Sequence, residues 1–396
     1  TLNYVDRLTL GVLKPVLSSE FHWSEIDYSH IVFWFTAAYA IGYLIFGRAI
    51  DWLGAKLGYS IAVVIWTLAH LACALVGSAT GFSIMLFALG LGQSGNFPAA
   101  LKAVAEWFPK RERALANGIF NAGTNVGAVI TPLLVPIITL AYGWRMAFVA
   151  TGSLSVIWLI FWLIRYRDPR QDKKVTPAEL AYIESDKPLP EKPVPWLRLL
   201  QVRETWAFAL GKFLTDPVSW FYQFWLPAFF VKKYGLDLKS FGPPIIVIYL
   251  MSDVGSVAGG WLSSTLIQHG ISLNAARKLA MFICAVCVVP VAFSGIVANE
   301  WIVVMLVGLA AAAHQGFSAN LWSLPADTMP RTAVASVVGI GGTAGAVGGM
   351  VVATVVGEVL HLTNSYTLIF MMAPAMYFIA LGVAHLLAPK LAPAKI

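Results

Sequence analysis

Eleven long apolar runs, each able to cross a bilayer, constrain this chain more than any motif in it. They lie near residues 30–50, 59–79, 82–105, 114–142 and 145–166, then near 205–231, 243–268, 277–298, 300–324, 331–358 and 365–389. A helix needs about 20 apolar residues to span the hydrocarbon core. Inside that core every backbone N–H and C=O must be satisfied within the segment, so helices are expected. A β-barrel is excluded, because its strands read as alternating segments of about ten residues. Residues 1–16 are apolar but short, and they run into Pro15. They are read as the second half of a first helix whose beginning precedes this chain, which makes twelve spans. With 58% hydrophobic and 12% charged residues, the chain carries about half the charge of a soluble domain.

The net charge of +7 does not point to nucleic acid, because the basic residues sit in short segments between apolar runs. That is the distribution of membrane topology, with Lys and Arg on the cytoplasmic side. Arg48/Lys56, Lys110/Arg111/Arg113, Arg277/Lys278, Arg331 and the Lys390/Lys395 tail mark that face. Glu20, Glu25, Asp27 and Glu300 mark the other, with Lys232, Lys233 and Lys239 against the trend. Both termini are then cytoplasmic. Residues 167–204 are rich in Pro and charge and form a cytoplasmic linker. Within it, Thr176-Pro-Ala-Glu179 reads as a capping box opening a short helix at 177–186. Cys73, Cys284 and Cys287 fall inside apolar runs and are read as packing residues rather than a disulfide or metal set. No cofactor or metal is implied.

The two halves repeat. A shift of 221 residues lays Glu106-x-x-Pro109-Lys110 over Asp327-x-x-Pro330-Arg331, and pairs Gly118 with Gly339 and Gly127 with Gly348. Duplicated six-helix halves are the architecture of secondary transporters. The expected fold is therefore an all-α integral membrane protein of two pseudo-symmetric six-helix bundles, 1–166 and 205–390, joined by the linker. Gly90-x-Gly92-x-x-Gly95 matches a dinucleotide fingerprint, but a phosphate cradle needs a strand before it and water around it. Inside an apolar span these glycines are read as packing positions, like Gly123-x-x-x-Gly127 and Gly341-x-x-x-Gly345-x-x-x-Gly349.

Between the second and third spans, Gly47-x-x-x-Asp51-x-x-Gly54-x-Lys56 matches the loop signature of the major facilitator superfamily. Asp51 is expected to cap helix ends of the other bundle, and Gly47 and Gly54 to permit tight contact, as part of a cytoplasmic gate. Together with Asn3-Tyr-Val-Asp-Arg7, residues 95–134 and Gly143-Trp-Arg-Met-Ala-Phe148, it makes the chain resemble the anion:cation symporter family. Within that family it is most similar to bacterial hexuronate and hexonate transporters. The resemblance implies proton-coupled uptake of small organic anions by alternating access, in the inner membrane.

Such a site needs a cation for the substrate carboxylate and a titratable group for the proton. Charged residues inside a span are costly and therefore functional candidates. The resemblance makes Arg7 the carboxylate binder and Asp6 a proton-coupling acid. Adjacent residues do not share a helix face, so the two must find separate partners. Tyr4 and Tyr39 match cavity positions of the family. Asn121 and Asn125 form one polar stripe suited to sugar hydroxyls. In the second half, Trp220, Tyr222, Gln223, His314, Gln315 and Asn320 supply aromatic and amide groups for a sugar acid. Lys212 and Asp253 either pair with each other or serve the substrate.

At the position of Gln93 the family commonly has a glutamate, and seven residues earlier an arginine; here these are Gln93 and Leu86. Losing both together avoids an unpaired buried charge. A glutamine forms hydrogen bonds like a protonated acid but releases no proton. Either Asp6 alone carries coupling, or coupling is weakened, or the residue was engineered to hold one conformation. The expected function is import of a sugar acid with protons by a monomeric transporter that acts on no nucleic acid. The alternatives are another small organic anion, aromatic or dicarboxylic, and a non-transporting nutrient sensor. No nucleophile–base or metal-ligand set suggests an enzyme.

Overall fold

The computed structural model describes residues 1–185, 194–238, 240, 242–392 and 394, with side chains described at all of these except 51, 110–115, 117–119, 121, 122, 125, 331, 332 and 335. No strand occurs among the described residues. Among the described residues twelve long helices follow one another: α1 (Leu2–Phe21), α2 (Glu25–Ile50), α3 (Trp52–Leu75), α4 (Ala79–Trp107, with a turn at Gly95), α5 (Lys110–Tyr142) and α6 (Trp144–Arg165). After the linker come α7 (Arg203–Tyr234), α8 (Gly242–Gln268), α9 (Leu273–Gly295), α10 (Glu300–Thr328), α11 (Arg331–Thr363) and α12 (Thr367–Leu387). Each apolar run falls on one of them. In the linker, Thr176 Oγ1 accepts the Glu179 N–H at 3.2 Å and caps a helix over Pro177–Glu184.

One boundary differs from the expectation. The apolar start of the chain does not stop at Pro15: α1 runs through it to Phe21. A proline inside a membrane helix is tolerated where neighbouring groups re-satisfy the freed carbonyl. The Lys14–Glu25 pair described below helps hold this end of α1 in place.

Among the described residues, nine of the helices are apolar enough to cross a membrane by composition alone; α1, α5 and α7 are not among them. The polar character of α1 and α7 is matched by burial. Every residue from Val5 to Lys14 is buried, as are Lys212 and most of α7. The lipid-type surface lies elsewhere. On α8, Val254, Val257 and Trp261 are exposed at helical spacing, and on α6 so are Ile157, Phe161 and Ile164. Such apolar ridges are a liability in water and the expected contact surface in lipid.

The internal repeat has a structural counterpart. Pro109 (φ −63°, ψ 155°) caps α5 and Pro330 (φ −60°, ψ 148°) caps α11, so the matched prolines open matched helices. The acidic residue three positions before each proline is engaged. Tyr166 Oη donates to Glu106 Oε2 at 2.6 Å, and Arg277 Nε to Asp327 Oδ2 at 3.2 Å.

The glycines of α4 are where backbones close up. A Cβ on Gly90 would collide with the Phe35 carbonyl of α2, and one on Gly92 would lie 2.6 Å from the Trp66 nitrogen of α3. On α11, Gly341, Gly345 and Gly349 receive Phe208, Asp216 and Trp220 of α7 in turn. Among the described residues, a Cβ on Gly47 or Gly54 would meet nothing within 4 Å. Gly54 has φ 82° and ψ 163°, where a side chain is strained, and it kinks the chain near the start of α3. Its requirement is conformational.

The chain divides into two compact units, Thr1–Thr9 with Trp34–Lys192 and Leu10–Phe33 with Pro193–Ile396. In the second unit, Tyr28 Oη donates to the Phe224 carbonyl at 2.8 Å, and Gly11 packs with a notional Cβ 2.5 Å from the Gln223 carbonyl. Gly90→Leu is expected to abolish a monodisperse, detergent-stable protein. Gly382→Ala, where a Cβ meets open space, is expected to leave the melting profile unchanged. Fluorescence-detected size exclusion after heating measures both, and a stable Gly90→Leu protein would refute the packing account.

Candidate functional site

In the first unit the polar groups converge on α1, whose geometry sets them apart. Consecutive residues on an α-helix point about 100° apart. Asn3 and Arg7, four apart, share one face, and Asp6 faces another.

Arg7 is buried on the first face. Its Nε donates to Gln93 Oε1 at 3.1 Å and an Nη to Asn3 Oδ1 at 3.2 Å. Its guanidinium lies 4.8 Å from the ring centres of both Tyr4 and Tyr39, and 5.8 Å from that of Phe35. Each desolvated cation–π contact contributes on the order of 1–2 kcal/mol. Gln93, fully buried on α4, works in both directions: its Oε1 accepts from Arg7 and its Nε2 donates to the Asn3 carbonyl at 3.0 Å. The amide thus fixes both the guanidinium and the start of α1. Leu86, two turns earlier on α4, is buried as an apolar packing residue.

Asp6 is buried on the other face. Ser155 Oγ of α6 donates to its Oδ2 at 2.8 Å, and His70 Nε2 of α3 lies 3.3 Å from its Oδ1. The adjacent charges have separate partners on separate helices. The structure therefore brings Tyr4, Arg7, Tyr39 and Gln93 together and sets Asp6 apart with His70. The side chains of Asn121, Asn125 and Asp51 lie outside the described residues. Lys56 contributes its carbonyl, which accepts from Trp162 Nε1 at 3.2 Å.

In the second unit, α7 carries Lys212 and Asp216 one turn apart, joined at 2.7 Å, with the ammonium 4.4 Å from the Trp322 ring centre. Lys212 is thus paired with Asp216 and not with Asp253, because an i, i+4 partner on the same helix is already within reach. Trp220 stacks on Phe224 with centroids 6.0 Å apart. His314 Nδ1 and Tyr377 Oη are 2.8 Å apart. Gln223 Nε2 donates to Ser219 Oγ at 3.2 Å. The Tyr222 hydroxyl and Gln223 Oε1 are buried and meet no partner among the described residues, as groups kept for a polar ligand would. Gln315 is half-buried.

Asn320 is engaged by its neighbours. Its Nδ2 donates to the carbonyls of Gly259 and Gly316 at 3.0 and 2.9 Å, and its Oδ1 accepts from Arg277 at 3.4 Å. One amide hydrogen bond ties α10 to the Gly259 carbonyl of α8 and the other stays within α10 at Gly316, so the Asn320 amide is held between the two helices.

Two buried groups escaped the sequence reading. His70 is one, with Thr151 at its ring and Asp6 beside it. The other is Lys14, whose Nζ lies 2.6 Å from Glu25 Oε2 and 4.6 Å from the Tyr28 ring centre. The signal was present, since each is a lone titratable residue inside an apolar run, the criterion that singled out Asp6 and Arg7.

A bundle of long helices with buried charges on α1 and α7 defines a helical membrane transporter. The chain belongs to the Major Facilitator Superfamily, whose family model matches residues 1–353, and it is a multi-pass membrane protein. The hexuronate transporter of Escherichia coli (strain K12) is 34% identical over 363 residues, 90% of this chain and 84% of that protein. The galacturonate transporter of Dickeya chrysanthemi is 31% identical over 309 residues, 76% and 90% of the two chains. A bacterial homolog of the human lysosomal transporter Spinster, solved in an inward-facing, unoccupied conformation, superposes with a TM-score of 0.71. It is 17% identical and covers 98% of this chain and 95% of its own, a likeness of fold.

The double role of Gln93 makes a prediction. In Gln93→Glu, the ionised carboxylate pairs with Arg7 and confronts the Asn3 carbonyl with an acceptor, whereas the protonated acid can donate there as the amide does. Ionisation therefore sets a competitor against an anionic ligand at Arg7. Ligand affinity is expected to fall as pH rises through the new group's pKa, by up to about tenfold per pH unit beyond any change in the parent. Calorimetric titration with a sugar acid at several pH values tests this, and parallel profiles for variant and parent would refute it.

Proposed function

We propose that this protein is a secondary transporter that imports a sugar-acid anion, a hexuronate or hexonate, together with protons. The observation that carries the reading is Arg7. It is a buried guanidinium on α1, positioned by the amide oxygens of Gln93 and Asn3 and flanked by the faces of Tyr4 and Tyr39. A planar cation held in this way suits a carboxylate, which it can engage through two parallel N–H groups. The relatives named for hexuronate and galacturonate transport support the choice of anion.

In this reading Arg7 binds the carboxylate. Tyr4, Tyr39 and the stripe of Asn121 and Asn125 meet the sugar from the first half. Trp220, Tyr222, Gln223, His314 and Gln315 meet it from the second. The two six-helix repeats, 1–166 and 205–390, alternate in opening the site, with the segment from Gly47 through Asp51 and Gly54 to Lys56 as part of the cytoplasmic gate. Asp6 takes the coupled proton. The protein works as a monomer in a bacterial inner membrane with both termini in the cytoplasm, the face marked by its basic loops. It supplies no bond-making chemistry.

Reconstitution into proteoliposomes tests the proposal. Labelled glucuronate, galacturonate or galactonate is expected to accumulate when the outside is made acidic, and to accumulate far less without the gradient. Arg7→Ala is expected to lower uptake at least about a hundredfold, the loss of a charge-assisted bidentate contact of roughly 3 kcal/mol. Transport of none of the three anions by the parent would overturn the substrate class. Uptake indifferent to the gradient would overturn the coupling, and normal uptake by Arg7→Ala would overturn the carboxylate assignment.

A further inference from the structure

The polar cluster on the far face of α1 is complete within the first unit. His70 Nε2 lies 3.3 Å from Asp6 Oδ1 and 2.7 Å from Thr151 Oγ1. The Thr151 hydroxyl donates to the Ala147 carbonyl at 2.8 Å, so its single proton is committed and its oxygen can only accept from the ring. Nε2 is then the protonated nitrogen and donates to Thr151, while Asp6 Oδ1, 3.3 Å from it, meets no hydrogen-bond partner among the described residues. Ser155 donates to the other carboxylate oxygen, Oδ2, at 2.8 Å. His70 Nδ1 is buried and meets no partner among the described residues. Asp6, His70, Thr151 and Ser155 are all at most 1% exposed.

The groups packed around this pair are few. On α3 the Cys73 thiol lies one turn along, its Sγ donating to the Ala69 carbonyl at 3.4 Å. From α6 come the two hydroxyls and the ring of Phe148, 5.1 Å from that of His70. On α1, Arg7 points to the other face, toward Gln93. Asp6, His70 and Cys73 are therefore the titratable groups of the cluster among the described residues.

A carboxylate sealed from water without a positive or protonated neighbour costs several kcal/mol. With the imidazole neutral and Asp6 ionised, the cluster carries a net charge of −1; one further proton makes it neutral. That proton has two places. It forms the N–H bond at His70 Nδ1, leaving an imidazolium beside a carboxylate. Alternatively, as Nδ1–H forms, Nε2–H breaks and its proton forms O–H at Asp6 Oδ1. Either way one proton enters and nothing is lost. Position 93, an amide, has no proton to exchange.

Resting on the proton-coupled reading above, we propose that His70 and Asp6 form a single proton site, a buried carboxylate–imidazole pair that binds the coupled proton as a unit. His70 is the second titratable member of the transport cycle. It touches the proton rather than the sugar, so its loss uncouples transport without acting through Arg7.

His70→Gln tests this, because the glutamine amide reaches toward Asp6 and Thr151 with an N–H but takes no proton. Proteoliposomes are loaded with whichever of glucuronate, galacturonate or galactonate the parent carries. Accumulation under an inward acid gradient is compared with counterflow, which needs no net proton movement. The ratio of gradient-driven accumulation to counterflow is expected to fall at least about tenfold in His70→Gln. An unchanged ratio, with the parent gradient-driven, overturns the proposal. If the parent itself ignores the gradient, the coupled reading fails, and this proposal fails with it for that separate reason. If His70→Gln loses counterflow as well, Thr151→Val decides, since it keeps both titratable groups and removes only the hydroxyl that holds the ring. It is expected to move the pH midpoint of uptake by at least about half a unit, and an unmoved midpoint overturns the proposal.

Discussion

A charge at hydrocarbon depth must be met by a partner, and α1 brings two of opposite sign at neighbouring positions. They cannot satisfy each other, because neighbours on a helix diverge by about 100°. Arg7 must therefore be met on one side and Asp6 on another. Gln93 of α4 and Tyr39 of α2 answer the first; His70 of α3 and Ser155 of α6 answer the second. Four helices are thus committed to positions around α1 by two residues. The burial of α1 from Val5 to Thr9 accompanies this arrangement.

Four helices can crowd around one only if some of them come unusually close, and this is where glycine enters. Gly90 and Gly92 let α4 lie against the backbones of α2 and α3, which places Gln93 in the same helix at the depth of Arg7. The second unit uses the device with other residues. Lys212 and Asp216 neutralise each other along α7, and the glycine ladder of α11 accepts Phe208, Asp216 and Trp220 into its notches. In lipid there is little hydrophobic drive between helices, so close van der Waals contact and satisfied polar groups carry the association. Glycines and buried ion pairs are two parts of one packing solution.

The helices were legible because run length alone distinguishes a span from a loop, and the linker because lipid cannot hold its charge. The packing glycines were legible from their spacing. The conformational requirement at Gly54 was not legible, because a left-handed backbone and a close contact leave the same letter in the sequence. Lys212 was readable in principle: Asp216 stood four residues away, and an intrahelical partner should have been weighed before Asp253. The partners of Asn320 were only half readable: Gly316 lies one turn away on the same helix, but the Gly259 carbonyl of α8 is delivered by the tertiary fold alone. His70 was passed over because attention went to pairs of opposite charge, and a histidine declares its sign only through its neighbours.

Gln93 takes on a definite meaning from this geometry. One side chain there must accept from a guanidinium and donate to a carbonyl at once, and a neutral amide does both at any pH. An ionised carboxylate accepts twice, and so suits the guanidinium at the expense of the Asn3 carbonyl. With an amide in place, the Arg7 face of α1 holds a constant arrangement while protons come and go. A proton-coupled cycle in this chain must then draw its titration from the opposite face, where Asp6 is buried against an imidazole whose second nitrogen has room for a proton. In the proposed reading, anion and proton occupy the two faces of one helix turn, and each would then respond to the other through α1 itself.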